Sequence, residues 1–424
     1  MDTSQIVSVA IFVVAMIVIM SEKVHRALVA IVGAMLLLIL HVMSFDVAVT
    51  HIDFNTLGVL LGMMLFVAVV KQSGVFEFLA IKCARAAKGN PWTIMVLFVL
   101  LTAILSAFLD NVTTVLLIGP MTITVCRLLE INPVPYFFTE IMASNIGGTA
   151  TLIGDPPNIM IGSAAGYTFA DFIMYDAPAV VIILAAVIVA FRFMYGKQLV
   201  TTEEHRQAIM ELDEHEYIKN PRLLKISYVM IAFVVIGFMT HGQLGLESSV
   251  IALTAAGVIM LISGESIEEA LHGVEWTTLC FFAGLFIIVG AMSETGVIAM
   301  LAQGLIDITG GNLFVTMLAV LIGSAVISSF LDNIPFVATM IPIILALEAD
   351  GLDGTALWWA LSLGACLGGN GTLIGASANV VLSDISKKHG HEITFMGFFK
   401  HGFPIMLLTV AIAAIYMIIR FPAG

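Results

Sequence analysis

Two Asp-Asn pairs stand in the middle of apolar segments, where charged side chains are rare. Asp110-Asn111 ends the sequence SAFLDN, and Asp332-Asn333 ends SSFLDN. A carboxylate within the hydrocarbon region costs on the order of 2.5 to 3.5 kcal/mol, so a compensating role is expected. An Asp there can carry a proton, and the Asn amide can bind a cation or a hydroxylated solute. The alternative is that each Asp only caps the helix that follows it.

The residues after the two turns differ. Thr113 and Thr114 add hydroxyl groups to the first turn, whereas Pro335-Phe336 occupies the corresponding place in the second. We therefore predict two turns that are related in sequence but unequal in their chemistry.

Three carboxylates are candidate proton carriers. Asp110 and Asp332 have the positions described above, and both turns are also candidate Na⁺ sites. Glu140 lies in a later apolar segment and has no acidic counterpart in the second half of the chain. Relay of protons by Glu140 and a merely interfacial position are both open at this point.

Two glycine-rich segments interrupt later apolar runs. SNIGGTATLIGDPPN occupies positions 144–158, and GGNGTLIG occupies 368–375. Paired glycines and prolines disfavour a continuous helix, and we predict that both segments unwind to expose ligands near the membrane centre. Close helix packing through small residues is the alternative. The candidate binding residues here are Asn145, Gly148, Thr149, Thr151, Asp155, Asn158, Asn370, Thr372 and Asn379.

The elements that position these residues must be membrane-spanning helices. Of the 424 residues, 60% are hydrophobic and 11% are charged, and the mean hydropathy is +1.07. Soluble domains carry about 25% charged residues, so a soluble enzyme is excluded. Continuous apolar runs such as residues 6–20 suit helices rather than the alternating strands of a β-barrel.

The sequence predicts no cofactor and no nucleic-acid partner. The four cysteines are scattered, which argues against disulfides and a Cys-built metal site, and the phosphate-binding pattern GxxxxGK[ST] does not occur. The driving force is expected to be a gradient of H⁺ or Na⁺, the gradient of the solute itself, or a soluble ATPase partner.

Histidines 41, 51, 241, 272, 389 and 391 are predicted to be solvated in loops.

We predict ten spans and two further apolar pairs. With the N-terminus outside, every Lys and Arg except Arg420 falls on the cytoplasmic side, in agreement with the positive-inside rule. Both termini are then outside, and the linker at 196–222 is cytoplasmic. The spans are 5–20, 24–43, 54–70, 135–165, 173–195, 224–241, 247–263, 277–293, 356–387 and 402–420; the pairs are 92–109 with 113–129 and 312–331 with 334–348.

The chain repeats itself. SAFLDN at 106–111 returns as SSFLDN at 328–333, and Asn158 returns as Asn379 at the same spacing to within one position. Because each half holds five spans, an odd number, the second half should be inverted. The predicted fold is an all-α polytopic membrane protein built as an inverted repeat of two five-span halves, each with a re-entrant helical hairpin and a broken helix. The predicted domains are the first repeat (1–195), the linker (196–222) and the second repeat (223–424).

FLDNVTTVLLIGP followed by EIMASNIGGTATLIGDPPN resembles one branch of the ion transporter superfamily. This branch includes arsenite efflux permeases, the melanosomal P protein and D-type bacterial sodium/proton antiporters. The resemblance covers nearly the whole chain. It implies that the Asp-Asn turns are the tips of re-entrant hairpins and that the protein is a homodimer with an elevator-like moving domain.

The substrate is ranked from the charges at the turns. A carboxylate at each turn repels a di- or tricarboxylate, and the predicted core contains no Lys or Arg to offset it. The loop from Gly154 to Asn158 resembles that of the P protein and the arsenical permeases, and arsenite is an uncharged trihydroxide at neutral pH. We therefore predict export of arsenite or antimonite across the inner membrane in exchange for protons. Sodium/proton antiport comes second, and anion symport, a passive channel or an ATPase-linked subunit comes third.

Overall fold

The computed structural model describes residues 2–21, 23–264 and 266–422, and the regular structure within these ranges is helical. The first half contains α1 (Thr3–Met20), α2 (Arg26–Ile39), α3 (Phe45–Thr50), α4 (Phe54–Lys71), α5 (Val75–Ala86), α6 (Pro91–Phe108), α7 (Asn111–Leu128), α8 (Val134–Gly148), α9 (Pro156–Ala165), α10 (Phe169–Tyr175) and α11 (Ala177–Tyr195). The linker holds α12 (Glu203–Met210) and a 3₁₀ turn (Glu214–Tyr217). The second half contains α13 (Pro221–Leu244), α14 (Ser248–Ser263), α15 (Ile267–His272), α16 (Trp276–Glu294), α17 (Val297–Thr309), α18 (Leu313–Phe330), α19 (Asn333–Ala349), α20 (Thr355–Gly368), α21 (Ser377–Lys388) and α22 (Phe395–Arg420).

Nine of the helices in the described ranges are long and apolar enough to cross a membrane. Five further apolar helices are shorter: α2, α14, α17, α19 and α20. The prediction of an all-α polytopic membrane protein is confirmed.

The two halves have the same order of helices. The first residues of α2, α4, α6 and α7 precede those of α14, α16, α18 and α19 by one constant offset, the same that separates SAFLDN from SSFLDN. For α8 with α20 and for α9 with α21 the offset is shorter by a single position. The sequence repeat is therefore also a repeat of secondary structure. That the second half is inverted stays a prediction from the odd number of spans.

Each half contains a helical hairpin, α6–α7 in the first half and α18–α19 in the second. In both hairpins an aspartate at the turn caps the second helix. Leu109 is extended (φ −115°, ψ 165°) after α6, and the Asp110 side chain accepts the backbone N–H of Thr113 at 2.8 Å. Asp332 caps α19 in the same way by accepting the N–H of Ile334 at 3.1 Å. The capping role is real at both turns, and it leaves further carboxylate lone pairs for other partners.

The broken helices are α8–α9 in the first half and α20–α21 in the second. Each makes very close contacts with a hairpin. A Cβ added at Gly147 of α8 would lie 2.2 Å from the carbonyl oxygen of Ala103 of α6, and one at Gly368 of α20 would lie 2.6 Å from that of Ala325 of α18. Glycine is needed at both places because backbone approaches backbone. α8 ends at Gly148, and α9 begins only at residue 156, so the segment serves both close packing and unwinding.

The linker lies against the first half. Arg85 of α5 pairs with Glu214, and Lys219 pairs with Glu77 of α5 at 2.8 Å. The 3₁₀ turn therefore packs on α5.

The prediction that the six histidines lie in loops is wrong for His272, which is exposed but ends α15, and for His241. His241 lies inside α13, which continues to Leu244, and it is only 6% exposed. One ring nitrogen lies 2.9 Å from the carbonyl oxygen of Leu246, and the other accepts the backbone N–H of Phe169 at 3.5 Å. His241 is the last residue of the predicted span 224–241 and is expected at the start of a loop, but the helix continues for three more residues.

Candidate functional site

Asparagines from both halves form one buried hydrogen-bonded cluster. Asn145 of α8 donates through Nδ2 to the Oδ1 atoms of Asn370 at 3.0 Å and Asn379 at 2.9 Å. Its own Oδ1 accepts a hydrogen bond from Nδ2 of Asn111 at 3.3 Å. The four side chains are buried. The first hairpin tip and both broken helices therefore meet at Asn145.

One amide donor of this cluster is unsatisfied. Nδ2 of Asn370 is buried and has no hydrogen-bond partner among the described residues. A buried N–H without a partner costs about 1–3 kcal/mol. A solute with a hydroxyl or carbonyl oxygen could remove this cost by accepting the bond.

The first unwound segment is held by one asparagine. Nδ2 of Asn158 donates to the backbone carbonyls of Thr149 at 3.1 Å, Thr151 at 3.0 Å and Gly148 at 3.4 Å. These carbonyls belong to the last residue of α8 and to the residues after it, where helical bonding ends. The amide of Asn158 therefore holds the unwound backbone through these carbonyls, and their role as ion ligands stays a prediction.

The second unwound segment is held in the same way, by Asn379. Nδ2 of Asn379 donates to the carbonyls of Gly369 at 2.7 Å and Thr372 at 2.9 Å. Asn158 and Asn379 thus have equivalent roles in the two halves. Both primarily support the backbone.

The threonine hydroxyls of the broken helices bond to backbone carbonyls. Thr151 donates to Ala107 of α6, and Thr372 donates to Ser329 of α18. Thr149 donates to the carbonyl of Asn145 at 2.8 Å. These hydroxyls fasten the unwound segments to the hairpins.

Asp155 connects the first broken helix to the second hairpin tip. Its Oδ1 and Oδ2 lie 3.4 and 3.2 Å from Nδ2 of Asn333. Both residues are buried. Asp155 is therefore paired across the halves, although the corresponding residue of the second half, Ala376, is not acidic.

A guanidinium group lies at the second hairpin tip. Arg26 donates from the same nitrogen to Oδ2 of Asp332 at 3.0 Å and to Oγ of Ser377 at 2.7 Å, and its charge lies 5.1 Å from the centre of the Phe281 ring. The prediction that no Lys or Arg offsets the acidic core is wrong. α2 has only 14 residues, and its first residue, Arg26, lies beside the tip.

Two cavities adjoin this ion pair. The smaller, of about 20 Å³, is lined among others by Arg26, Asp110, Asp155, Glu275 and Asn333. The larger, of about 270 Å³, is lined among others by Arg26, Asp332 and Ser377. The smaller cavity is close to the volume of one water-sized group. Glu275, which the sequence analysis did not single out, thus belongs to the same acidic surroundings as the two hairpin tips.

Three further predicted residues, Thr113, Thr114 and Glu140, lie outside the asparagine cluster. The Thr113 hydroxyl donates to Asp110 at 2.5 Å, and the buried Thr114 hydroxyl has no partner among the described residues. Glu140 accepts a hydrogen bond from Thr122 on α7 and lines neither cavity. Within the described ranges there is no group of three or more His, Cys, Asp or Glu side chains that could hold a metal ion.

Comparison with known proteins finds a matching family model and relatives that align over nearly the whole chain. A family model described as citrate transporter matches residues 16–364. An uncharacterized transporter of Mycobacterium bovis is 45% identical over 424 residues, with 98% of each chain covered. A 46 kDa membrane protein of Mycobacterium leprae is 41% identical, with 98% of this chain and 99% of that chain covered.

A more distant relative and one solved structure extend the comparison. The human P protein is 33% identical, and the alignment covers 99% of this chain but 60% of the P protein. The crystal structure of the YdaH transporter of Alcanivorax borkumensis aligns with a TM-score of 0.65 at 16% identity, covering 95% of this chain and all of that one. The structural similarity supports the fold alone.

Proposed function

We propose that this chain, which belongs to the citrate transporter family within the ion transporter superfamily, is a secondary transporter. The proposed activity is export of arsenite or antimonite in exchange for protons. The predicted membership of that superfamily is confirmed, and the protein is a membrane transporter. The choice of solute, the coupling ion, the inner-membrane location and a homodimeric state are parts of the proposal.

The observation that carries the proposal is the buried asparagine cluster with its unsatisfied donor. Arsenite and antimonite are neutral trihydroxides, and each oxygen can both accept and donate hydrogen bonds. Nδ2 of Asn370 offers a donor, and the Thr114 hydroxyl elsewhere in the core is also unpaired. A Na⁺ ion needs oxygen ligands only and gains nothing from an amide donor.

The charges near the cluster favour a neutral solute with proton coupling. Asp110, Asp155 and Glu275 line the small cavity beside a single guanidinium. A multiply charged anion would meet this acidic excess, whereas protons neutralise it. Asp110 is the better candidate for the carrier, because Asp332 is already paired with Arg26.

Two alternative solutes have specific support. Sodium/proton antiport is supported by the small cavity of about 20 Å³ with its carboxylates. Citrate is supported by the family description and by Arg26, since a guanidinium binds carboxylates well. We rank citrate last, because Asp332 already neutralises the charge of Arg26 and three further carboxyl groups lie beside it.

Purified protein in liposomes that contain a pH-sensitive dye separates the three solutes. Gradients of arsenite, sodium and citrate are applied one at a time, and proton flux is recorded. We expect flux with arsenite alone. Flux driven only by sodium or only by citrate would replace the proposal with the corresponding alternative, and solute flux that is indifferent to pH would indicate a passive path.

A matched pair of variants tests the cluster itself. Asn370→Asp replaces the unsatisfied donor with an acceptor of the same shape, and we expect arsenite affinity to fall at least tenfold. Asn312→Asp makes the same chemical change at the exposed N-cap of α18, where Asp caps as well as Asn. Equal arsenite affinity in both variants would contradict a binding role for Asn370.

A further inference from the structure

A carboxyl group outside the proposed site is completely buried between the two halves. Asp176 stands between α10 and α11 and has no exposed surface. It does not cap α11 through its side chain. Its Oδ2 accepts a hydrogen bond from Oγ of Ser362 on α20 at 2.5 Å, and its Oδ1 has no partner among the described residues.

No cation among the described residues pairs with this carboxyl group. No described Lys, Arg or His nitrogen lies within 4.0 Å of it. The titratable groups in electrostatic range are Cys366 of α20 and Tyr416 of α22. From α10, Tyr175 presents its carbonyl to the Tyr416 hydroxyl at 2.6 Å and its ring to Arg420.

The hydroxyl of Ser362 has two hydrogen-bond acceptors within reach. Its Oγ lies 2.5 Å from Oδ2 of Asp176 and 2.7 Å from Oδ1 of Asn158. A hydroxyl has one hydrogen and can donate it to only one of them. If Asp176 is ionised, two acceptors therefore compete for one hydrogen, and the buried charge has a single hydrogen bond.

A proton on Asp176 resolves this conflict. The protonated carboxyl donates to Oγ of Ser362, and the Ser362 hydroxyl then donates to Oδ1 of Asn158. Each contact is satisfied, and no net charge is buried. We propose that Asp176 is a proton-binding site and that Ser362 transmits its protonation state to Asn158.

The consequence reaches the first unwound segment. Asn158 holds the carbonyls of Gly148, Thr149 and Thr151 through its Nδ2. When Asp176 releases its proton, Ser362 turns its hydrogen to the carboxylate, and Oδ1 of Asn158 then accepts only the weak contact from Sγ of Cys366 at 3.5 Å. The broken helix α8–α9 thus becomes less firmly held as the proton leaves.

Infrared spectroscopy of the purified protein tests the proton on Asp176. We expect wild type to have a carboxylic-acid C=O band that Asp176→Asn lacks and that shifts in Ser362→Ala, which loses the hydrogen-bond partner. Asp384→Asn, at an exposed position of α21, is the matched control and should keep the band. An unchanged band in Asp176→Asn would overturn the proposal. If that variant does not fold, an unchanged band in Ser362→Ala would do so.

Hydrogen exchange of residues 148–158 tests the transmission step. After correction for intrinsic rates, wild type should exchange faster as pH rises and Asp176 ionises. Asp176→Asn keeps a donor toward Ser362 and should stay protected at every pH, whereas Ser362→Ala should exchange fast at every pH. Identical pH profiles in the three proteins would overturn the transmission step. Neither experiment uses a solute, so these outcomes are independent of the test of arsenite transport.

Discussion

Arg26, the first residue of α2, donates a hydrogen bond of 3.0 Å to Asp332, the capping residue of α19. This bond joins the first half of the chain to the hairpin tip of the second. The residue at the place of Arg26 in the second half is Ser248, whose hydroxyl accepts a hydrogen bond from Asn55 at 3.2 Å. The repeat is therefore asymmetric in charge, because only one half supplies a guanidinium at this position.

Replacement of Arg26 by Gln should destabilise the protein and reduce transport. Asp332 and Ser377 both lose a donor, and because the pair is partly exposed we expect a loss of about 1 kcal/mol in unfolding free energy. Transport should fall at least tenfold, since the tip is no longer tied to α2. Thermal unfolding and solute-driven proton flux measure the two effects. Lys23→Gln removes an exposed charge three residues earlier and is the control; matching behaviour of both variants would show that the pair is dispensable.

Replacement of Asp110 by Asn should abolish proton coupling while the fold is kept. Asn is as good a helix cap as Asp, so we expect a change in unfolding free energy below about 1 kcal/mol, but it cannot bind and release a proton. Asp332→Asn should lower stability more, because it also breaks the ion pair with Arg26. Proton flux in liposomes and thermal unfolding distinguish the variants. Wild-type coupling in Asp110→Asn would eliminate Asp110 as the carrier.

The sequence was sufficient for those features that depend on local rules and on repetition. Apolar length predicts the helices, and the offset between SAFLDN and SSFLDN predicts which helices correspond. Asp110 and Asp332 cap α7 and α19 because Asp is a favoured N-cap residue. The helices and the caps can each be recognised within a short segment of the chain, and the repeat can be recognised by comparing two such segments.

The features that sequence reasoning missed depend on contacts between distant segments. Arg26 reaches Asp332 across 306 positions, and Ser362 reaches Asp176 across 186. Arg26 also stands near the start of the predicted span 24–43, where the positive-inside rule accounts for a basic residue without any acidic partner. Glu275 escaped notice because it precedes a span, although it lines the small cavity.

Two residues of the broken helices should differ in their effect on stability. Asn379→Ala removes the donor to the carbonyls of Gly369 and Thr372 and leaves buried polar atoms unpaired, which should cost about 1–3 kcal/mol. Thr149→Val removes one hydroxyl bond to the carbonyl of Asn145 within the same helical turn, and we expect less than about 1 kcal/mol. Thermal unfolding without solute makes the comparison. A larger loss in Thr149→Val would mean that the hydroxyls, rather than the amides, hold the unwound segments.

Adding a methyl group where hairpin and broken helix meet should damage both halves alike. A Cβ at Gly147 or Gly368 would fall 2.2 or 2.6 Å from a backbone carbonyl oxygen, which cannot move like a side chain. Gly147→Ala and Gly368→Ala should therefore each lower the unfolding free energy by about 1–3 kcal/mol through overpacking. Gly257→Ala on α14 is the control: no atom lies within 4 Å of its added Cβ, and Ala is the better helix former, so its stability should be equal or higher. Thermal unfolding of the three variants tests this directly, and wild-type stability of both Gly147→Ala and Gly368→Ala would contradict the close approach of α6 to α8 and of α18 to α20.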